Sequence, residues 1–206
     1  MNKTIQIIHL IIFVYVFRNG KNKQLANQVG VGKLYVDFLN KIIHLVKGYG
    51  KTVMVWGDII AKHPEYMDEI PRDVIFLHWD YSKHPKEEKV ELFSKVNQSF
   101  YLCPAVWGWN RLLPRFNLSH SNILTMVKYG VTYNALGILN TNWGDFGHLN
   151  FFSGSIPGLI QGAAYSWNEA KDHNLNDISE KIARIHYRDS DGKLIHILRE
   201  IADCQL

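Results

Sequence analysis

Four short apolar runs punctuate the chain: Lys51 to Ile60 (KTVMVWGDII), Asp73 to Tyr81 (DVIFLHWDY), Ser99 to Trp107 (SFYLCPAVW) and Tyr133 to Trp143 (YNALGILNTNW). Runs of this length and Val/Ile/Phe content read as buried strands, and strands joined through helices build parallel sheets with right-handed crossovers. The segments between them carry helical spacing. Leu34, Phe38, Ile42, Leu45 and Tyr49 recur every three or four residues, which predicts a helix over about Leu34 to Lys47, ended near Gly48 and Gly50. His63-Pro64-Glu65 opens a short helix that Pro71 closes, and Pro85 to Val96 sets Val90, Phe93 and Val96 on one side of a charged surface helix. Ser121 to Tyr129 and Pro157 to Trp167 supply two more helices. Ile178 to Tyr187 and Leu194 to Ala202 form an amphipathic pair around Asp189-Ser190-Asp191-Gly192. No internal repeat and no linker rich in Gly, Ser or Pro cuts the chain, so the expectation is one α/β unit.

Composition excludes several classes. With 206 residues, 47% hydrophobic and 20% charged, the chain can bury a sizeable core and is too apolar for wholesale disorder. The net charge of +4 is spread along the chain and leaves no clustered basic footprint for nucleic acid. Cys103 and Cys204 stand far apart, which argues against a disulfide framework and a structural zinc site, and Cys103 fits a packed thiol inside its apolar run. The ten histidines include no His-x-x-x-His or Glu-x-x-His pair, so no metal is expected. Gly-rich phosphate loops and a Gly-x-Ser-x-Gly elbow are both missing, and no cofactor is implied.

Residues Ile5 to Phe17 are almost wholly apolar and admit three readings. A secretion signal would need small residues at its cleavage site, where Tyr15-Val16-Phe17-Arg18 stands instead. A membrane span would need a longer run without Gln6 and His9. A buried strand fits the composition best. The segment is read as compatible with either a cytoplasmic or an exported chain.

Tryptophans recur near the ends of the four runs, and polar groups follow them: Asp58 after Trp56, Asp80 after Trp79, Asn110 after Trp107, Asp145 after Trp143. In parallel α/β architectures ligands bind beyond the carboxyl ends of the strands. Indole faces stack on the apolar faces of a sugar ring while Asp and Asn take its hydroxyls. One such tryptophan is ordinarily a core side chain; four at matching positions point to a site. His148 is a weaker candidate to line it, a structural hydrogen bond being as good a role, and Arg111 and Arg115 could grip an anion or form a solvated basic loop.

The stretches WGDII followed by HPE, FLHWDY, FYLCPAVWGWNRLLPRF, and LGILNTNWGDFGH through SIPGLIQGAAYSWN resemble glycoside hydrolase family 20, the β-N-acetylhexosaminidases, and bacterial members in particular. The resemblance runs from about Gly20 to Trp167. It implies the C-terminal half of a (β/α)8 TIM-type barrel: about four parallel strands with outer helices over residues 19–170, an atypical apolar segment over 1–18, and a C-terminal helical extension over 171–206. It further implies removal of terminal N-acetylglucosamine or N-acetylgalactosamine from glycans, the substrate's own acetamide oxygen attacking the anomeric carbon in place of an enzyme carboxylate. By that resemblance Trp56, Trp79 and Trp143 wall the acetamido pocket, with Trp107 among the substrate-binding tryptophans. Tyr101 hydrogen-bonds the acetamide oxygen, Asp145 binds sugar hydroxyls and Asp58 shapes the pocket. Where family members continue the Tyr101 motif with an acidic residue, this chain has Cys103.

The main departure lies upstream. The family's Asp-Glu pair, which orients the acetamide and supplies the general acid, should lie shortly before Gly20; HLIIFVYVF occupies that slot, and no acidic residue precedes Asp37. The break in pattern at Arg18 predicts the tail of a disrupted gene, with residues up to about Phe17 read from a wrong frame or start. Without the pair, a weakly active or inactive hydrolase is expected. The alternatives are a non-catalytic N-acetyl-sugar-binding module, or a half-barrel that associates with itself or with another chain. If any carboxylate here serves as acid, Asp58 and Asp145 are the candidates.

Overall fold

A computed structural model of the chain describes residues 5–8, 20–147 and 149–204. The elements, in order, are strand β1 (Ile5–Ile8), helices α1 (Lys23–Val29) and α2 (Val31–Gly48), strands β2 (Thr52–Trp56) and β3 (Ile75–Trp79), helix α3 (Glu87–Lys95), strand β4 (Phe100–Cys103), helix α4 (Phe116–Thr132), strand β5 (Gly137–Ile138), and helices α5 (Phe152–Trp167), α6 (Leu175–Ile185) and α7 (Leu194–Asp203). Strand order follows chain order, and the registered pairings are parallel, so the α/β class is as expected. The chain divides into two compact units, Met1–Trp79 with Glu87–Tyr101, and Asp80–Lys86 with Leu102–Leu206.

In the first unit β1 pairs with β2 from Ile5↔Thr52 to Ile8↔Val55, and β2 with β3 from Met54↔Ile75 to Trp56↔Leu77. Ile5–Ile8 therefore agree with the strand reading of the apolar N-terminal segment, whose other residues lie outside the described ones. Successive residues of β2 and β3, Val53 to Trp56 and Phe76 to His78, are buried, as in a strand covered on both faces. Phe93 of α3 packs its ring within 5.2 to 5.9 Å of those of His78, Phe76 and Phe100. At Gly57, directly after β2, a Cβ would stand 2.7 Å from the Phe93 ring, so a side chain there would have to displace it.

Helix α2 buries Tyr35, Val36, Leu39 and Ile43, whereas Leu45 and Tyr49 are exposed. The core stripe is thus one residue on from the Leu34–Phe38–Ile42 stripe expected. VGKLYVDFLNKIIHLV carries two adjoining apolar stripes, and polar contacts choose between them. Gly32 leaves room for the His63 ring, 2.6 Å from where a Cβ would sit. Lys33 pairs with Glu69 at 2.8 Å, and Asn40 donates to the Glu69 carbonyl at 3.0 Å.

In the second unit α4 and α5 meet through Ile123, Val127 and Tyr165, with Ile138 and Ile178 against them. Helices α6 and α7 close over Ile182, Ala183 and Ile195. Pro157 stands inside α5 and has no N–H to return to the Ser153 carbonyl; the Tyr187 hydroxyl donates to that oxygen at 2.5 Å. Helix α5 begins at Phe152, five residues before the Pro157 start expected, and α4 extends beyond the Ser121 to Tyr129 expected. Helix α1 was not anticipated from the sequence.

Candidate functional site

Past the end of β4 the hydrogen-bond ladder continues without a regular strand. Leu139 N–H donates to Leu102 O at 2.9 Å, Thr141 N–H to Pro104 O at 2.8 Å, and Val106 N–H to Thr141 O at 2.9 Å. Pro104 has no donor of its own, so the strand stops at Cys103 although the two segments stay paired to Val106. Trp56 and Trp79 do end β2 and β3. Trp107 and Trp143 instead lie in loops beyond β4 and β5, which are shorter than the runs around them suggested.

Trp107 takes φ 62°, a left-handed backbone rare for a bulky side chain. Its indole N–H donates to the Tyr81 carbonyl at 2.6 Å, its ring stacks on Trp109 at 4.2 Å, and the Arg115 guanidinium lies 5.6 Å from the ring centroid. The Tyr81 ring is 5.3 Å from Trp109. The Trp143 indole N–H donates to the Tyr81 hydroxyl at 2.6 Å. Burial pushes the Tyr81 phenol above its ordinary pKa, so it stays a neutral hydroxyl at physiological pH. Two of the expected site residues, Trp107 and Trp143, are thereby brought together through a residue the sequence did not single out.

Helix α4 holds that residue in place. The buried Asn122 side chain donates to the carbonyls of Asp80 and Ser82, each at 2.7 Å, and accepts from Ala105 N–H at 3.1 Å. Ser119 donates to the Ala105 carbonyl at 3.1 Å. An Asn at a buried face of a helix was the available signal, because such a side chain must find partners there. Asp80 caps its own turn, accepting from Ser82 N–H at 3.0 Å and from the Ser82 hydroxyl at 2.7 Å.

Asp145 is exposed and opens a 3-10 turn, Asp145–Gly147, in which Phe146 takes φ 57°. His148 lies outside the described residues. In the first unit, Trp56 is buried, while Asp58, Trp79 and Tyr101 are half-buried. The charge of Asp58 adds to burial in raising the pKa of Tyr35. Cys103, in the second unit, is fully buried, and burial lifts its thiol pKa well above the ordinary value, which suits packing rather than nucleophilic attack. The sequence has one adjacent Asp-Glu pair, Asp68-Glu69, in the short helix Pro64–Glu69. Both carboxylates serve surface ion pairs, Asp68 with Arg72 at 2.6 Å and Glu69 with Lys33 at 2.8 Å. Among the described residues no three His, Cys, Asp or Glu side chains gather as a metal site, and no helix is long and apolar enough to cross a membrane.

No protein-family model matches the chain, and no curated protein matches it.

Proposed function

We propose that this chain recognises terminal N-acetylhexosamine residues of glycans and resembles the C-terminal half of a family 20 (β/α)8 barrel. The observation that carries the reading is the set of indoles gathered around Tyr81, with Trp107 and Trp143 each fixed by a hydrogen bond to that residue. Oriented indoles offer flat apolar faces for a sugar ring, and the exposed Asp145 two residues beyond Trp143 offers a carboxylate for its hydroxyls. Strands in chain order, parallel pairing and intervening helices support the half-barrel reading. The resemblance separately gives Tyr101 the acetamide oxygen and Trp56, Trp79 and Asp58 acetamide-binding roles within the first unit.

Binding without efficient hydrolysis is the form of this function we favour, because the chain's own Asp-Glu neighbours, Asp68 and Glu69, are engaged by Arg72 and Lys33. Loss of a general acid alone removes about a hundred- to ten-thousand-fold in rate. Two measurements test the proposal. Tryptophan fluorescence of the full chain should change on titration with N-acetylglucosamine; an unchanged spectrum at millimolar sugar overturns recognition. A chromogenic N-acetyl-β-glucosaminide should give no turnover above the Tyr101→Phe control. Turnover that falls in that variant would overturn the non-hydrolytic form and direct attention to Asp58 and Asp145.

A further inference from the structure

We infer that Tyr81 is the positioning residue of this aromatic group, orienting Trp107 through its carbonyl and Trp143 through its hydroxyl; the consequence for sugar binding rests on the function proposed above. Two indole N–H groups converge on one residue, at 2.6 Å each, but on different oxygens. The hydroxyl bond is flanked by Thr141. Thr141 shares a side-chain hydrogen bond with the Tyr81 phenol and donates its own hydroxyl proton to the Pro104 carbonyl at 2.8 Å. The Tyr81 oxygen accepts from the Trp143 N–H, beside a threonine whose own proton is committed to main chain. The carbonyl that takes the Thr141 proton is already tied into the ladder by Thr141 N–H.

Tyr81 is itself immobilised. Asn122 binds the carbonyls on either side of it, Asp80 O and Ser82 O, and the ring rests near Trp109. The orientation of both indoles is therefore set from α4 through one residue. The two oxygens can also be separated by substitution. Tyr81→Phe keeps the ring and the carbonyl, and with them the Trp107 bond, while it removes the acceptor of the Trp143 N–H.

The experiment is a 1H–15N spectrum of the indole N–H groups in the full chain, with the Trp143 peak assigned by its loss in Trp143→Phe. In Tyr81→Phe the Trp143 peak should move and exchange faster with water, while the Trp107 peak stays. Thr141→Val, which keeps every ring and removes the hydroxyl that shares a hydrogen bond with the Tyr81 phenol, should move the same Trp143 peak. Movement of both indole peaks together, or of neither, overturns the inference. In sugar titrations Tyr81→Phe should weaken binding about tenfold, from the unpaired N–H left behind, and should add nothing in a Trp143→Phe background. An equal further loss in that background also overturns it. If the wild-type chain binds no sugar, the proposed function falls and the spectra alone decide the role of Tyr81.

Discussion

Three glycines on helix α5 are expected to respond to the same substitution with opposite signs. At Gly158 an added Cβ would lie 2.7, 3.1 and 3.2 Å from the Cγ1, Cγ2 and Cβ atoms of Val106. Val106 is fully buried and its N–H is bonded to Thr141 O, so neither its side chain nor its backbone can yield cheaply. Gly158→Ala gains about 0.5–1 kcal/mol from helix propensity and costs about 1–3 kcal/mol from overpacking, a net loss of about 1–2 kcal/mol. At Gly154 the nearest atoms are Pro114 Cδ at 3.6 Å and Leu113 Cδ2 at 4.0 Å, ordinary contacts. There only the backbone gain remains, about 0.5 kcal/mol in a first turn. Gly162 packs against the Asn140 side chain, whose amide also donates to Gly158 O at 3.0 Å, and its substitution should destabilise as at Gly158.

Thermal melts followed by far-ultraviolet circular dichroism can read these differences. At roughly 2–4 °C per kcal/mol for a chain of this size, Gly158→Ala should melt about 3–6 °C lower and Gly154→Ala about 1–2 °C higher. Val106→Ala combined with Gly158→Ala should be less destabilised than the sum of the single changes by about 1 kcal/mol, because the smaller side chain removes the two closest contacts of the added methyl. The reasoning is refuted if Gly158→Ala melts at or above the parent chain, or if Gly154→Ala falls as far as Gly158→Ala.

Other expectations follow from single contacts. Asn174 caps α6 by accepting from Asn176 N–H at 2.8 Å and Asp177 N–H at 3.3 Å, so Asn174→Ala should cost about 1 kcal/mol in urea unfolding. Phe93→Ala empties the centre of the ring cluster formed with Phe76, His78 and Phe100 and should cost about 3–5 kcal/mol in the same assay. Burial, with the charge of Arg199 and then His173, lowers the His120 pKa from 6.5 to about 4, while its Nδ1 lies 2.6 Å from the Tyr165 hydroxyl. Between those values the unfolded chain binds the proton and the native one does not, so this contribution to stability is full above pH 6.5 and lost as pH falls through about 4. His120→Gln should flatten the stability profile over that window, and an unchanged slope would exclude His120 as its source.

Element type was legible where period and length agreed. Helix α3 buries Val90 and Phe93 as its spacing predicts, and α6 and α7 lie within a few residues of the ranges expected. The rotation of α2 was not legible, because two apolar stripes compete and the choice depends on Gly32 meeting His63 and Lys33 meeting Glu69, contacts between segments far apart in sequence. Strand length failed for a different reason. YNALGILNTNW is apolar enough for a long strand, yet only Gly137–Ile138 forms one, half-buried, with pairing resumed at the isolated bridge Ala105↔Thr141. The proline at 104 removes one donor from that ladder, and composition does not register a missing N–H.

That same interruption explains why placing tryptophans at strand ends captured only part of the candidate site. A side chain at the end of a regular strand has its direction fixed by the pleat, as for Trp56 and Trp79. Trp107 and Trp143 lie beyond regular strand, where the backbone imposes no direction, and Trp107 even takes a left-handed φ of 62°. Their indole N–H groups supply the missing constraint, each committed to an oxygen of Tyr81. Of the two polar residues that follow Trp79, the carboxylate of Asp80 was the natural choice for a sugar contact, yet its oxygens accept from Ser82 and from Lys86 N–H within its own turn. The neutral phenol beside it accepts the Trp143 indole N–H on its own oxygen. Two loop tryptophans require two acceptors, and Tyr81 of the HWDY segment provides both, a carbonyl and a hydroxyl oxygen, on a turn clamped by Asn122.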